Sequence, residues 1–194
     1  GRYHLIFDFK HEGHEISKMT FIDVMGKINP IVISKDLMKE KIFEGYRVTL
    51  TSDPKKIVSG EETHFKYKIK KDNKDINDMT LYLGAPMHLA IFSLDFAYFS
   101  HTHGTLPMAG LPFNFINSVL AHEEEPIKLP TRSVSSIPHF GPNIEAHITF
   151  PWPGLYVIFG EFKHQGKIIT SSFMVEVAPG KNVQLEIPMH QDVH

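Results

Sequence analysis

The stretch from Leu83 to Gly104, LGAPMHLAIFSLDFAYFSHTHG, decides the fold, because it has the pattern of two short strands joined by a tight loop. Apolar and polar side chains alternate through Met87–Phe92 and again in Ala97–His103, as they do in strands with one buried face. Residues 93–96 are suited to a four-residue hairpin loop. The stretch therefore predicts an antiparallel pair of strands.

Similar runs occur on both sides of this hairpin, and prolines, glycines and other turn residues separate them. About seven strands with such turn signals are typical of an antiparallel sandwich. We therefore expect an all-β fold over residues 46–178, an antiparallel immunoglobulin-like or cupredoxin-like β-sandwich. Its further expected strands are Tyr46–Thr51, Thr63–Lys70, Asn143–Phe150, Gly154–Lys163 and Lys167–Val177.

The region between Thr105 and Gly141 differs from the strands around it. It contains five prolines and the acidic triplet Glu123-Glu124-Glu125. Loops of this length in compact domains are usually functional or disordered. We interpret the region as a long insertion loop between strands, with residues 113–122 suited to a short helix.

The two ends of the chain are assigned to separate segments. Residues 1–45 are expected to contain strands at Tyr3–Phe9 and Ile28–Ser34, and a helical turn or linker over Asp36–Phe43. Residues 179–194 are expected to form a C-terminal tail. The sequence leaves open whether the N-terminal segment packs against the sandwich or adds strands to it.

The composition excludes several classes of protein. Without cysteine, the chain has no disulfide, thiolate zinc site, iron–sulfur cluster or blue-copper site. Its 20 basic and 22 acidic residues give no overall positive charge for nucleic acid or an anionic membrane surface. No run reaches the ~18 apolar residues of a membrane-spanning helix. We therefore expect neither a nucleic-acid partner nor a membrane span.

Thirteen histidines are the most informative part of the composition, because imidazole is the commonest metal ligand among side chains. If Phe92 lies opposite Ala97 in the hairpin, then His88 lies opposite His101. The period of two along a strand puts His103 on the same face as His101. Three imidazoles then converge on one spot.

Neutral imidazoles in this arrangement are suited to a metal ion at nitrogen–metal distances of ~2.0–2.1 Å. Copper(II), zinc and nickel all accept such a site, and copper(II) has the highest affinity at equal geometry. Met87 and Met108 are candidate thioether ligands for copper(I). The alternative is that the His-x-His pair occurs by chance on an exposed strand and binds nothing.

Two segments stand in a fixed order around the hairpin histidines. The first is Tyr82–Leu89, YLGAPMHL, which precedes His101-Thr102-His103, and the second is Gly141–Tyr156, GPNIEAHITFPWPGLY. In order and spacing they resemble the YtkA-like family, bacterial extracytoplasmic β-sandwich domains associated with copper or heavy-metal handling. The resemblance covers residues 46–177. It departs from the family at Gly104, where proline is usual, and in the length of the insertion.

The resemblance implies a metal-handling sandwich whose ligands fall on His88, His101, His103 and His147. Of these, His147 alternates with Ala146 and Ile148, so it is exposed if those two residues face the core. The resemblance also implies copper or another heavy metal as the ion, and a metal donor or acceptor protein as partner. It implies a periplasmic or secreted protein whose signal peptide lies outside these 194 residues.

The sequence therefore predicts a non-catalytic protein that binds copper or another late transition metal for trafficking, storage or sensing. It has no Gly-x-Ser-x-Gly elbow, phosphate-binding glycine loop or His-Glu-x-x-His helix. Catalysis by a metal-activated water, with Glu145 or Asp95 as base, is a third choice. The second choice is a protein-interaction module that presents the insertion at 105–141 and has structural histidines. The oligomeric state is left open.

Overall fold

The computed structural model describes residues 1–12, 14–27, 34–107 and 139–181. All regular structure in these ranges is β-strand, which confirms the all-β prediction. The residues form two compact units. A hairpin within residues 1–35 makes the first unit, and the later strands of the described ranges belong to the second.

Three predicted segments lie wholly or largely outside the described ranges. They are the greater part of the expected strand Ile28–Ser34, the insertion over residues 108–138, and the tail beyond residue 181. The interaction-module alternative depends on the insertion and therefore stays a prediction.

The first unit is an antiparallel hairpin of β1 (Arg2–His11) and β2 (His14–Asp23). It confirms the expected strand at Tyr3–Phe9, and the partner of that strand is the segment directly after the hairpin tip. The guanidinium of Arg2 donates to both carboxylate oxygens of Asp23 at 3.0 Å and closes the open end of the hairpin.

The second unit is a sandwich of two sheets. The strands of the first sheet are β5 (Ile57–Val58), β8 (Met79–Thr80), β9 (Met87–Ser93), β10 (Phe99–Gly104), β12 (Gly154–His164) and β13 (Lys167–Ala178). Their spatial order is β10-β9-β12-β13-β5, and β8 pairs beside β12. The pairs are antiparallel apart from the parallel pair β13–β5.

The strands of the second sheet are β3 (Glu40–Phe43), β4 (Tyr46–Asp53), β6 (Glu62–Lys71), β7 (Lys74–Asp75) and β11 (Asn143–Thr149). The sheet is antiparallel throughout and has the order β11-β6-β4-β3, with β7 paired beside β6. These strands confirm the ones expected around residues 46, 63 and 143.

Alternation along the strands explains why the two sheets pack face to face. Exposed and buried residues alternate strictly through Glu62–Ile69 of β6. Tyr67 of β6 packs edge-on against Phe173 of β13 with ring centroids 6.2 Å apart, and Tyr46 of β4 packs likewise against Phe162 of β12 at 5.7 Å. Burying a large apolar side chain contributes ~1.5–3 kcal/mol, so such contacts hold the sandwich together.

The sandwich begins before residue 46, because β3 pairs with β4 at the edge of the second sheet. Glu44 and Gly45 join these strands as a two-residue turn with φ of 50° and 86°, as in a type I′ hairpin. Phe43 packs against Phe173 across the core. The helical turn considered for Asp36–Phe43 is therefore wrong over residues 40–43, where hairpin pairing and the packing of the half-buried Phe43 decide the conformation.

The two sheets are joined along one edge, where β10 ends. Thr105 and Glu145 exchange backbone hydrogen bonds of 2.7 and 2.8 Å. The residue that follows β10 therefore pairs with β11 of the other sheet. Gly104 lies at this crossing, and a Cβ there would be 2.5 Å from Cγ2 of Ile144 and 3.0 Å from Cβ of Met87. The position where the YtkA-like pattern has proline thus has no room for a side chain.

Candidate metal centre

The loop of the β9–β10 hairpin sets the register of the predicted ligands. The Ser93 amide donates to the Tyr98 carbonyl at 3.1 Å, so the four loop residues are 94–97 and not 93–96. The Tyr98 amide donates to Ser93 Oγ at 2.9 Å, and the Ala97 amide donates to Asp95 Oδ1 at 3.1 Å. Hydrogen bonds to Asp95, chiefly from the Ser93 hydroxyl, hold the pKa of its carboxyl below the usual range. Asp95 therefore stabilises the loop.

The observed register places His103 opposite His88, and His101 opposite Ala90. The predicted opposition of His88 and His101 is wrong, because the loop begins one residue later than its pattern indicated. The observed partner of His88 is thus two residues further along β10 than the predicted one. Since an even shift leaves each side chain on its face, the three histidines still lie together on the outer face of the first sheet, opposite the buried Met87, Leu89 and Ile91.

The three imidazoles are close enough to share one ion. Nδ1 of His88 lies 3.2 Å from Nε2 of His101. The ring centroid of His103 is 4.6 Å from that of His88 and 5.0 Å from that of His101. One nitrogen of each ring lies within 4.8 Å of the others. Tetrahedral ligands at metal distances of ~2.0–2.1 Å are about 3.3 Å apart, so this group can hold a metal ion after small side-chain rotations.

His88 is oriented by the backbone of Tyr82. Nε2 of His88 lies 2.9 Å from the Tyr82 carbonyl, which accepts its proton. This bond leaves Nδ1 of His88 with its lone pair directed toward His101. A backbone carbonyl that fixes the tautomer and ring direction of a ligand histidine is a common feature of metal sites. The sequence pattern did not single out Tyr82.

A tight turn holds the Tyr82 carbonyl in place. The backbones of Tyr82 and Ala85 exchange hydrogen bonds of 2.9 and 3.1 Å. The two residues between them, Leu83 and Gly84, have φ of 48° and 87°, as in a type I′ turn. The Tyr82 carbonyl thus accepts from the Ala85 amide and from His88. The YLGA segment is therefore a support for the first histidine.

A carboxylate lies beside the cluster in the same cross-strand row. Glu161 of β12 is opposite His88, and Thr170 of β13 is opposite Glu161. Thr170 Oγ1 donates to Glu161 Oε1 at 3.3 Å. The negative charge of Glu161 favours a cation on the neighbouring imidazoles. Glu161 was not among the candidate residues, because its position depends on pairing between strands some 70 residues apart.

The surroundings leave the cluster open on one side. His101 and His103 are exposed and His88 is half-buried. Toward the hairpin loop, Phe92 packs against Phe99 and Phe159 with ring centroids 4.9 and 6.0 Å apart. The site is therefore bounded by aromatic rings on one side and accessible from solvent on the other.

One family profile matches the sandwich. It is described as a domain of unknown function, DUF8832, and it matches residues 40–179. The chain belongs to the DUF8832 family. The match begins at the first residue of β3 and ends just after β13, so the DUF8832 domain coincides with the sandwich and does not include the β1–β2 hairpin.

No curated protein and no solved structure shows significant similarity to this chain. The described part of the DUF8832 chain contains no helix capable of spanning a membrane.

His147 does not join the other three predicted ligands in the DUF8832 domain. It lies on β11 in the second sheet, exposed, while Ala146 and Ile148 are buried as their alternation indicated. Its neighbours are His64 and Glu62 of β6. The predicted set of four is therefore divided between two sheets, because alternation fixed the face of His147 but not the sheet to which that face belongs.

Other candidates lie away from the histidine cluster. The Met87 side chain is completely buried on the opposite face of β9, so it is not a ligand, and Met108 lies outside the described residues. Glu145 lies on β11, where its Oε1 is 3.7 Å from Nζ of Lys66. The two carboxylates considered as catalytic bases, Asp95 and Glu145, thus contact other groups.

Proposed function

We propose that this DUF8832 domain binds copper, or another late transition metal, through His88, His101 and His103, for metal trafficking, storage or sensing outside the cytoplasm. One observation carries the proposal. His88 directs Nδ1 to within 3.2 Å of Nε2 of His101 while the Tyr82 carbonyl holds its other nitrogen at 2.9 Å. This is the arrangement in which an ion can replace the proton shared by two imidazoles.

Copper(II) is the favoured ion because the ligands are nitrogens without thiolate, and its affinity for such sites exceeds that of zinc or nickel at equal geometry. Zinc and nickel are the alternatives. Binding displaces the proton between His88 and His101, so acid weakens it. The carboxylate of Glu161, in the same cross-strand row as His88, supports a net positive charge at the site.

The exposure of the site supports transfer of the ion. His101 and His103 are exposed, so a ligand from a donor or acceptor protein can approach the ion while His88 still holds it. The YLGAPMHL and His101-Thr102-His103 segments support the same role through their resemblance to YtkA-like domains. The extracytoplasmic setting rests on that resemblance.

The proposed role is non-catalytic. Asp95 bonds the hairpin loop and Glu145 pairs with Lys66, so both carboxylates considered as general bases contact groups outside the histidine cluster. Glu161, the carboxylate beside the cluster, accepts a hydrogen bond from Thr170. Binding without turnover is the simpler use of this arrangement.

Calorimetric titration with copper(II) tests the proposal. The double variant H101A/H103A should lose one copper equivalent, because one imidazole alone forms no chelate. A matched control, H11A/H14A, removes two exposed histidines from the β1–β2 hairpin and should leave that equivalent unchanged. Equal copper binding by H101A/H103A and the unmodified chain would overturn the proposal.

A further inference from the structure

The outer face of the second sheet carries a separate group of ligand-type residues. His64 of β6 lies directly opposite His147 of β11, and their ring centroids are 4.1 Å apart. Glu62 precedes His64 by two residues and shares its face. Oε2 of Glu62 lies 3.1 Å from Nε2 of His64 and 3.7 Å from Nδ1 of His147.

We propose that Glu62, His64 and His147 form a second divalent-cation site of the zinc type, independent of the His88 cluster. Two histidines and one carboxylate are a ligand set that zinc uses, with bonds of ~2.0–2.2 Å. Ligands of a tetrahedral ion at these lengths are about 3.3 Å apart, and the two observed distances lie on either side of that value. The three donor atoms all lie within 4.8 Å of one another.

An ordinary ion pair accounts less well for the same geometry. A single oxygen of Glu62 faces nitrogens of two imidazoles, and a pair between this carboxylate and one imidazolium leaves the second ring unused. A dication in the middle satisfies all three groups with the rings neutral. It also gives the carboxylate a partner whose charge exceeds that of one imidazolium.

The residues around this group favour a cation. Asp53 of β4 is paired with His64 in the same cross-strand row and adds a second carboxylate to this face. Lys66, two residues after His64 on the same face of β6, has its ammonium 3.7 Å from Glu145, which offsets its charge. The Glu62 and His147 side chains are 59% and 45% exposed, so water can complete the coordination of an ion.

The two sites differ in chemistry. The His88 cluster offers three neutral nitrogens, while the second group offers two nitrogens and one formal negative charge. Oxygen ligands favour harder cations than imidazole does. Because the two groups share no residue, we expect the second site to bind zinc even when the first is disabled.

Zinc titration by calorimetry in the H101A/H103A background tests the proposal separately from the copper site. That variant should still bind one zinc per chain. Adding H64A and H147A should abolish this binding, and adding E62Q should weaken it by at least ~10-fold, the lower end of the effect of groups that only support a ligand. The control K66A alters a charge on the same face without removing a ligand.

Because all three residues are exposed, the variants should keep the melting temperature of the parent chain within a few degrees. Imidazole proton resonances of His64 and His147 should shift together on zinc addition. No zinc binding by H101A/H103A, or zinc binding unaffected by H64A/H147A, would overturn the second site. If the copper proposal fails instead, H101A/H103A will bind as much copper as the unmodified chain, while H64A/H147A will still bind one zinc equivalent less.

Discussion

His88 and His103 lie directly opposite one another on β9 and β10, with ring centroids 4.6 Å apart and ring planes 82° to each other. Directly opposed side chains are the closest pairs that two antiparallel strands offer. The perpendicular rings let the nitrogens of both approach one point without stacking. The proposed copper site follows from this pair, with His101 two residues before His103 and on the same face.

The turn at Leu83-Gly84 should control metal affinity through the Tyr82 carbonyl. Gly84 has a φ of 87° and open space at its Cβ position, so G84A strains the turn without a clash. We expect stability to fall by about 1–2 kcal/mol and copper affinity to fall with it, as the Tyr82–His88 bond loosens. Urea unfolding and copper titration measure the two effects.

Gly45 supplies a matched control for this prediction. Its φ is 86° and its Cβ position is also open, but it lies in the β3–β4 turn of the other sheet. G45A should lower stability by a similar amount and leave copper affinity unchanged. Equal affinity in G84A and G45A would show that the YLGA turn does not position His88.

The hydrogen bond between Asp78 and the buried His164 makes stability dependent on acid. His164 is 2% exposed and lies between the Tyr46 hydroxyl, 2.8 Å from its Nδ1, and Asp78 Oδ1, 2.7 Å from its Nε2. The bond to His164 is the main reason that the pKa of Asp78 lies below its usual range. A carboxyl with a depressed pKa in the fold stabilises above its unfolded pKa of ~3.9, and this contribution is lost as pH falls further.

We therefore expect D78N to lower stability near pH 7 by about 1 kcal/mol, which is below the usual range for a hydrogen bond to a charged group because Asp78 is half exposed. D78N should also remove part of the stability that the unmodified chain loses on acidification below about pH 4. Thermal unfolding from pH 3 to 7 measures both effects. The exposed turn carboxyl of Asp72 gives the control D72N, and identical pH profiles for the two variants would contradict the role of His164.

The sheet crossing at Gly104 should not tolerate a side chain. In G104A the new Cβ would lie 2.5 Å from Cγ2 of Ile144, and overpacking of this kind typically costs about 1–3 kcal/mol. I144A removes that methyl group. The double variant G104A/I144A should therefore be more stable than the sum of the two single losses predicts. Strict additivity in urea unfolding would show that the collision is absent.

Two buried tyrosines should respond in opposite ways to loss of the hydroxyl. The Tyr67 hydroxyl is buried and has no hydrogen-bond partner among the described residues, and burial raises the pKa of Tyr67. The Tyr156 hydroxyl donates to the Trp152 carbonyl at 2.9 Å. Y67F should be neutral or stabilising, while Y156F should cost about 1 kcal/mol. A larger loss in Y67F than in Y156F would contradict this account.

The local alternation of apolar and polar residues was sufficient to predict most strands and to place the hairpin histidines on one face. The period of two is a property of each strand alone, so His88, His101 and His103 stayed on one face although the register was wrong by two residues. The β3–β4 hairpin was missed because Glu44-Gly45 is a weaker turn signal than the usual Asn-Gly. The half-buried Phe43 packs against Phe173, which is more than 100 residues away in the sequence.

The neighbours of the two histidine clusters could not be predicted from the sequence, because they depend on contacts that a local residue pattern does not encode. His64 carries no motif, and only the alignment of β6 with β11 brings it to His147. Glu161 is placed beside His88 by the pairing of β9 with β12. The Tyr82 carbonyl is a backbone group, and a residue pattern contains no information on where such a group is directed. These contacts depend on how distant strands assemble.

Pulsed electron paramagnetic resonance with one copper(II) equivalent tests the central claim most directly. In the H64A/H147A background, where the proposed second site is absent, the spectrum should contain couplings from more than one imidazole. Replacing His101 or His103 with alanine should each remove one coupled ring. An unchanged spectrum in both variants would contradict a copper site built on His88, His101 and His103.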